Sequence, residues 1–313
     1  MARMARFKIS EEEAWYHVHS RTAGLKGEYV LSKPLARKRL MDLIQHYSQA
    51  YFCEVAGVTV MGNHWHGILQ FSQPREVSAE ELRQRAEILY PSETSQIMLD
   101  QWLPEKWERL QERLFDVSEF MRNVQSAFAR WYNKTYQRRG RFWADRFKSV
   151  YLGTSQAVLD CLLYVELNPV RAGLVTRPEQ WKGSSLYLRE IGKDEWLMPL
   201  RELMNKRSHK QALREYRERL YYRGNVPTKP GQQAISDRVL ADEKARGFEV
   251  AGVYRKRLGY FADGVAIGTE AFIREQLGQM RERGQYLRRK HPIVQPDSLH
   301  LSLREQRSTA VVF

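Results

Sequence analysis

Two strand-like runs joined by Gly62-Asn63 constrain this chain more than any other feature. Phe52-Cys53-Glu54-Val55-Ala56-Gly57-Val58-Thr59-Val60-Met61 is apolar and β-branched, and His64-Trp65-His66-Gly67-Ile68-Leu69-Gln70-Phe71 resumes after the turn. Strand, Gly-Asn, strand is a hairpin signature, which sets a β-hairpin over about 52–71. Side chains two apart on a strand project to the same face. His64 and His66 therefore share one face at the start of the second strand, able to grip one divalent ion, while Trp65 packs on the other. A bare His-x-His pair is weak evidence, and the chain contains a second, His17-Val18-His19, in another strand-like run over 14–21.

A second informative stretch is Tyr164-Val165-Glu166-Leu167-Asn168-Pro169-Val170-Arg171-Ala172-Gly173. From Ser155 to Leu167, apolar Val158, Leu159, Leu162 and Leu163 recur at helical spacing, with Tyr164 and Asn168 one turn apart on the flank of that face. Pro169 is expected to end the helix and to bias Asn168 away from α geometry. A phenol and a carboxamide at a helix end can then aim at one point. The competing reading makes Tyr164 a core-edge residue and Asn168 a cap.

Residues 121–151 are rich in cations. Arg122, Arg130, Lys134, Arg138, Arg139, Arg141, Arg146 and Lys148 face the single acid Asp145, and Phe128, Trp131, Tyr132, Tyr136, Phe142, Trp143, Phe147 and Tyr151 lie between them. Cations hold phosphates and aromatic faces stack on unpaired bases. Arg130, Lys134, Arg138, Arg139, Arg141, Arg146 and Lys148, with Trp143 as a stacking ring, are the candidate DNA contacts, the turn around Arg138-Arg139-Gly140-Arg141 foremost. Val117, Phe120, Met121, Val124, Phe128, Trp131 and Tyr132 form an amphipathic stripe, so Phe120, Val124 and Phe128 belong to the core. The whole chain agrees in sign: 51 Lys+Arg against 37 Asp+Glu give a formal charge of +14, which favours a polyanionic partner.

The order of elements is strand 14–21, helix near 34–51, hairpin 52–71, a charged helical insertion over 75–119, the basic helix, a strand near 146–152 and the Tyr164 helix. An α+β fold accounts for it: a ferredoxin-like or RRM-like antiparallel sheet covered by helices, with His64 and His66 on the open face. Residues 1–190 form the expected catalytic domain, and 191–313 a mostly helical C-terminal extension with a linker near 224–231. Cys53 and Cys161 are the only cysteines, which argues against a disulfide framework and against a structural zinc quartet. With no apolar run of membrane-spanning length and no signal-like N-terminus, a cytoplasmic protein is expected.

Taken in order, Val60-Met61-Gly62-Asn63-His64-Trp65-His66, Gly140-Arg141-Phe142-Trp143-Ala144-Asp145-Arg146-Phe147-Lys148-Ser149 and Tyr164 through Gly173 resemble the single-tyrosine HUH transposases, and within them the REP-associated tyrosine transposases. The resemblance spans about residues 10–190. It implies that His64 and His66 are metal ligands, Asn168 a third ligand and Tyr164 the nucleophile. It further implies magnesium or manganese as the ion, single-stranded or hairpin DNA as the substrate, and a bacterial protein associated with the nucleoid while it acts. Tyr132 and Tyr136 stay as lesser candidates for the nucleophile, and His17 and His19 match no ligand position. A replication initiator or relaxase with the same chemistry, and a catalytically silent DNA or RNA hairpin binder, are the alternative readings. Monomer and homodimer both remain open.

Overall fold

The computed structural model describes residues 13–25, 27–227, 231–248, 264–282, 293–294 and 301–304. Its first half is a strand–helix–strand–strand–helix–strand unit. Strand β1 (Ala14–Arg21) leads to helix α1 (Pro34–Ala50), the hairpin strands β2 (Cys53–Val60) and β3 (His64–Phe71), and the inserted helices α2 (Ala79–Leu89), α3 (Glu93–Leu99) and α4 (Pro104–Leu114). Helix α5 (Val117–Thr135), strand β4 (Lys148–Leu152) and helix α6 (Ser155–Arg171) follow. The four strands lie in the order β2-β3-β1-β4, all antiparallel, which is the ferredoxin-like arrangement.

Local chemistry explains the boundaries. Pro34 occupies the first turn of α1, where its missing N–H costs nothing. Asp116 caps α5 through Ser118 N at 2.6 Å. The stripe of α5 is buried at Val117, Phe120, Met121, Val124, Phe128 and Tyr132, and packs with α1 on the sheet face that carries Tyr16, Val18, Trp65, Leu69 and Phe71.

The opposite face, expected to be open, is covered. Helix α6 lies across β2, β3 and β4, and α9 (His209–Gly224) packs on the far side of α6. The reason is in the sequence of both elements. Strand β2 is buried on both faces, and α6 buries twelve of its residues, including Val158, Leu162, Val165 and Val170, so it is apolar almost all round and needs cover on two sides. Gly57, beside a β-bulge, lets the layers meet: a Cβ there would collide with the tip of Leu162 and lie 3.1 Å from Ser185 Oγ.

Polar ties fix the helix in place. The buried Glu166 carboxylate accepts hydrogen bonds from Ser185 Oγ, on α7 (Ser185–Glu190), and from Tyr216 on α9 at 2.7 Å. Ser185 also accepts from Val58 N of β2 at 3.0 Å, so one carboxylate links α6 to a second helix layer and to the sheet. Burial raises the Glu166 pKa, against the pull of these hydrogen bonds and of Arg189. Asp160 pairs with Arg223 of α9 at 2.8 Å, both largely buried.

Pro169 does not end α6, which runs on to Arg171. Proline removes the N–H that would reach Val165 O, and Asn168 Nδ2 takes its place, donating to Val165 O at 3.2 Å and to Tyr164 O at 2.9 Å. The helix stops at Gly173, whose φ of 68° suits a Schellman end: Gly173 N donates to Val170 O and Leu174 N to Pro169 O, each at 2.9 Å.

Beyond residue 190 the described residues include the helices α8 (Leu200–Leu203), α9, α10 (Asp237–Ala245) and α11 (Glu270–Glu282). They also include β5 (Gly264–Gly268), parallel to β4, and then β6 (Ile293–Val294) and β7 (Leu301–Arg304), extending the sheet to seven strands. Leu186, Leu200, Tyr216 and Leu220 share one apolar cluster with Leu162 and Val165, so both sides of residue 190 contribute to the same core. Residues 260–263 and 283–290 lie outside the described residues, as do 228–230 of the expected linker. Gly57→Val should lower stability by roughly 1–3 kcal/mol through overpacking. Urea melts of the variant and parent check this, and an unchanged midpoint would show that α6 does not pack as described.

Candidate active site

His64 and His66 open β3 on its α6-facing side, and the antiparallel register brings β1 beside them. His19 pairs with His66 and Arg21 with His64, while on the other flank Thr59 of β2 pairs with His66. Partners in register project to the same face. One row across the sheet therefore reads Lys148, His19, His66, Thr59. His17 and His19 thus join the site from β1, although neither matched a ligand position in sequence. What could have found them is the repeated alternation: two His-x-His strands become one cluster once they pair.

Four imidazoles gather here. Ring centroids lie 5.0 Å apart for His64 and His66, 5.5 Å for His19 and His66, and 5.1 Å for His17 and His66. Tyr164 reaches them from α6, its ring 5.9 Å from His66 and 6.0 Å from His17, edge-on to both. It is half-buried beside the apolar cluster rather than enclosed in it. Histidines and tyrosine come from one chain, so no second copy is needed to bring them together. Asn168 follows one turn beyond Tyr164. Its two amide hydrogens are committed to the helix backbone, which leaves only the carboxamide oxygen for any other partner.

The histidines are set up as neutral bases. Asn63 Oδ1 lies 2.8 Å from His64 Nδ1 and can only accept, so His64 carries its proton on Nδ1 and its lone pair on Nε2. His66 Nδ1 lies 3.0 Å from His17 Nε2 in the buried interior. Burial, aided by His19 and Arg21, pushes the His64 pKa down to about 4. His66 is held well below the ordinary imidazole range by burial first and then by His17, His64 and His19. Among the described residues no three His, Cys, Asp or Glu side chains are grouped to hold a metal. Any ion here would have to draw on oxygen donors outside that set.

The candidate DNA contacts divide. Arg130, Lys134, Arg139, Arg141, Arg146 and Lys148 are exposed. Arg138 is half-buried and donates to Ala23 O at 3.3 Å. Trp143 is a correction: it is 8% exposed, its ring packs against Phe128 and Phe142, and its indole N–H donates to Gln125 O at 2.9 Å. A ring so enclosed cannot stack on a base. The strand register explains why: Ala144 N bonds Arg21 O and Ala23 N bonds Phe142 O, which pulls residues 142–144 against the end of β1. The same pairing leaves Arg141 and Arg146 flanking that edge, and Lys148 stands beside His19. Arg130 and Lys134 belong instead to α5, on the other side of the sheet. Tyr132, buried at 3% exposure, and Tyr136 also lie on that side, so neither can share a point with His64 and His66 in this chain.

Among known proteins, a solved structure titled as a REP-associated tyrosine transposase bound to a REP hairpin is similar to this chain. The identity is 15% and the TM-score 0.41, over 61% of this chain and 86% of that one. A likeness that distant assigns nothing to this chain. No protein-family model and no curated protein matches the sequence. Among the described residues no helix is long and apolar enough to cross a membrane.

The depressed histidines make stability depend on pH. Unfolded histidine binds its proton near pH 6.5, whereas native His64 does so only near about 4 and His66 is likewise held well below the ordinary imidazole range. The unfolded state therefore holds more protons in between, and stability falls as pH drops through 6.5, on the order of 3 kcal/mol for His64 alone by about pH 4. Urea midpoints in EDTA from pH 8 to 4 should show this fall, with a shallower slope in His64→Asn. A flat profile in the parent would contradict it.

Proposed function

We propose that this protein is a DNA strand transferase that cleaves and rejoins single-stranded or hairpin DNA through Tyr164. The observation that carries the reading is the meeting of Tyr164 with His66, at 5.9 Å between rings, across almost a hundred residues of sequence. A core tyrosine needs no imidazole cluster beside it, and His64 and His66, whose pKa values burial pushes down, are perturbed groups of the kind that gather at functional sites.

In the proposed reaction the Tyr164 phenol oxygen attacks a phosphodiester phosphorus. The new P–O bond forms as the bond to the 3′ oxygen of the departing strand breaks. The phenol loses a proton, and the departing oxygen gains one to become a free 3′-hydroxyl. The strand stays attached to Tyr164 by its 5′-phosphate, and the reverse attack by a second 3′-hydroxyl rejoins it without an outside energy source. His64 and His66, with the Asn168 oxygen, are the groups that would hold magnesium or manganese, and such an ion supplies charge stabilisation at the scissile phosphate. A mixed nitrogen and oxygen set with room for water and phosphate suits either ion. Arg141, Arg146 and Lys148 flank the histidine edge and are proposed to hold the DNA backbone there. Arg139, exposed in the turn before them, is proposed to add charge there, whereas Arg130 and Lys134 add charge only on the α5 side of the sheet.

Incubated with labelled hairpin DNA bearing a single-stranded flank and with manganese, the parent should form a covalent adduct that survives denaturing electrophoresis, and Tyr164→Phe should form none. Equal binding by both without any adduct would favour a hairpin-binding module over an enzyme. For affinity, Arg141→Ala, Arg146→Ala and Lys148→Ala combined should flatten the slope of log binding constant against log salt by roughly 2, at about 0.7 per single-strand phosphate contact. An unchanged slope would place the DNA elsewhere.

A further inference from the structure

His17 is the most enclosed of the four histidines, with 0% exposure, and it lies on the strand next to the proposed ligand pair rather than within it. Its Nε2 is 3.0 Å from His66 Nδ1, and the two rings stack at 18° between planes. One proton occupies that contact. Either His66 donates from Nδ1 and keeps a lone pair on Nε2, or His17 donates from Nε2 and His66 carries its own proton on Nε2. Only the first arrangement leaves His66 able to bind an ion through the nitrogen that His17 does not cover. His64 already shows the equivalent arrangement, with Nδ1 held by the Asn63 carboxamide oxygen at 2.8 Å. Histidine ligands commonly have the second ring nitrogen fixed by such a partner, which orients the ring and selects its tautomer.

We propose that His17 is a positioning residue: its Nε2 accepts the Nδ1 proton of His66 and so holds His66 in the tautomer that carries its lone pair on Nε2. His17 and Asn63 then play the same part for the two members of the His64-Trp65-His66 pair, one from a neighbouring strand and one from the preceding turn. The assignment gives a role to the strand-one histidine that sequence reasoning left without one. It rests on the proposed metal-assisted reaction for its purpose, but the tautomer itself is a property of the metal-free protein.

The test uses the full chain labelled with 15N-histidine, in EDTA at pH 7.5, with a His66 variant to assign the resonances. Long-range proton–nitrogen correlation should show His66 protonated on Nδ1 and bare on Nε2. In His17→Met, which fills the space with only a weak thioether acceptor, the Nε2-protonated form should appear. In His17→Gln, whose amide oxygen can stand where Nε2 stands, the parent tautomer should persist. Manganese affinity, followed by the loss of the free-ion electron paramagnetic resonance signal, should fall roughly 10–100-fold in His17→Met and be largely restored in His17→Gln. A parent His66 protonated on Nε2 overturns the proposal, whatever the variants do, as does a His17→Met protein with the parent tautomer and affinity. If the parent holds the Nδ1 proton yet binds no manganese, the positioning contact stands and the metal-assisted reading of the site falls.

Discussion

Everything at the candidate site depends on α6 lying flat on the histidine face of the sheet. Gly57 leaves the space for Leu162, and Glu166 ties the helix to α7 and α9 through Ser185 and Tyr216. Burying a carboxylate is costly unless it is well bonded, and here the hydrogen bonds also reach β2 through Ser185. The two faces of α6 do different work. One packs apolar side chains between sheet and α9, and the flank carries Tyr164 to the imidazoles. The site is therefore a seam between layers and not an open sheet surface.

That placement accounts for its electrostatics. A seam excludes water, so imidazoles within it stay neutral and keep lone pairs, while the cations stand at the rim where water still reaches them. Arg21, opposite His64, and Lys148, opposite His19, are the charged ends of the histidine rows. In the proposed reading, this neutral interior with a positive rim would hold a polyanion's backbone at the edge and let the scissile phosphate reach Tyr164.

Much of this was legible in the sequence, and the reasons are local. The Gly62-Asn63 turn and the alternation around Trp65 set the hairpin and sent both histidines to one face. The apolar spacing in α6 located Tyr164. The rest required long-range pairing. His17 and His19 look like any strand histidines until the β1 register places them opposite β3, 49 residues away for the His17–His66 contact. Trp143 looks exposed among its arginines until residues 142–144 dock on β1. Pro169 looks like a helix end because the rule does not foresee a side chain, that of Asn168, serving the carbonyl that proline abandons. Strand β5 pairs in parallel with β4 from more than a hundred residues downstream, beyond the reach of any local pattern.

The central claim is that Tyr164 is the residue that bonds to DNA. Proteolysis of a protein–DNA adduct followed by mass spectrometry reads this directly. The account predicts a nucleotide phosphate on the peptide containing Tyr164. Its appearance on Tyr132, Tyr136 or any other residue would contradict the account.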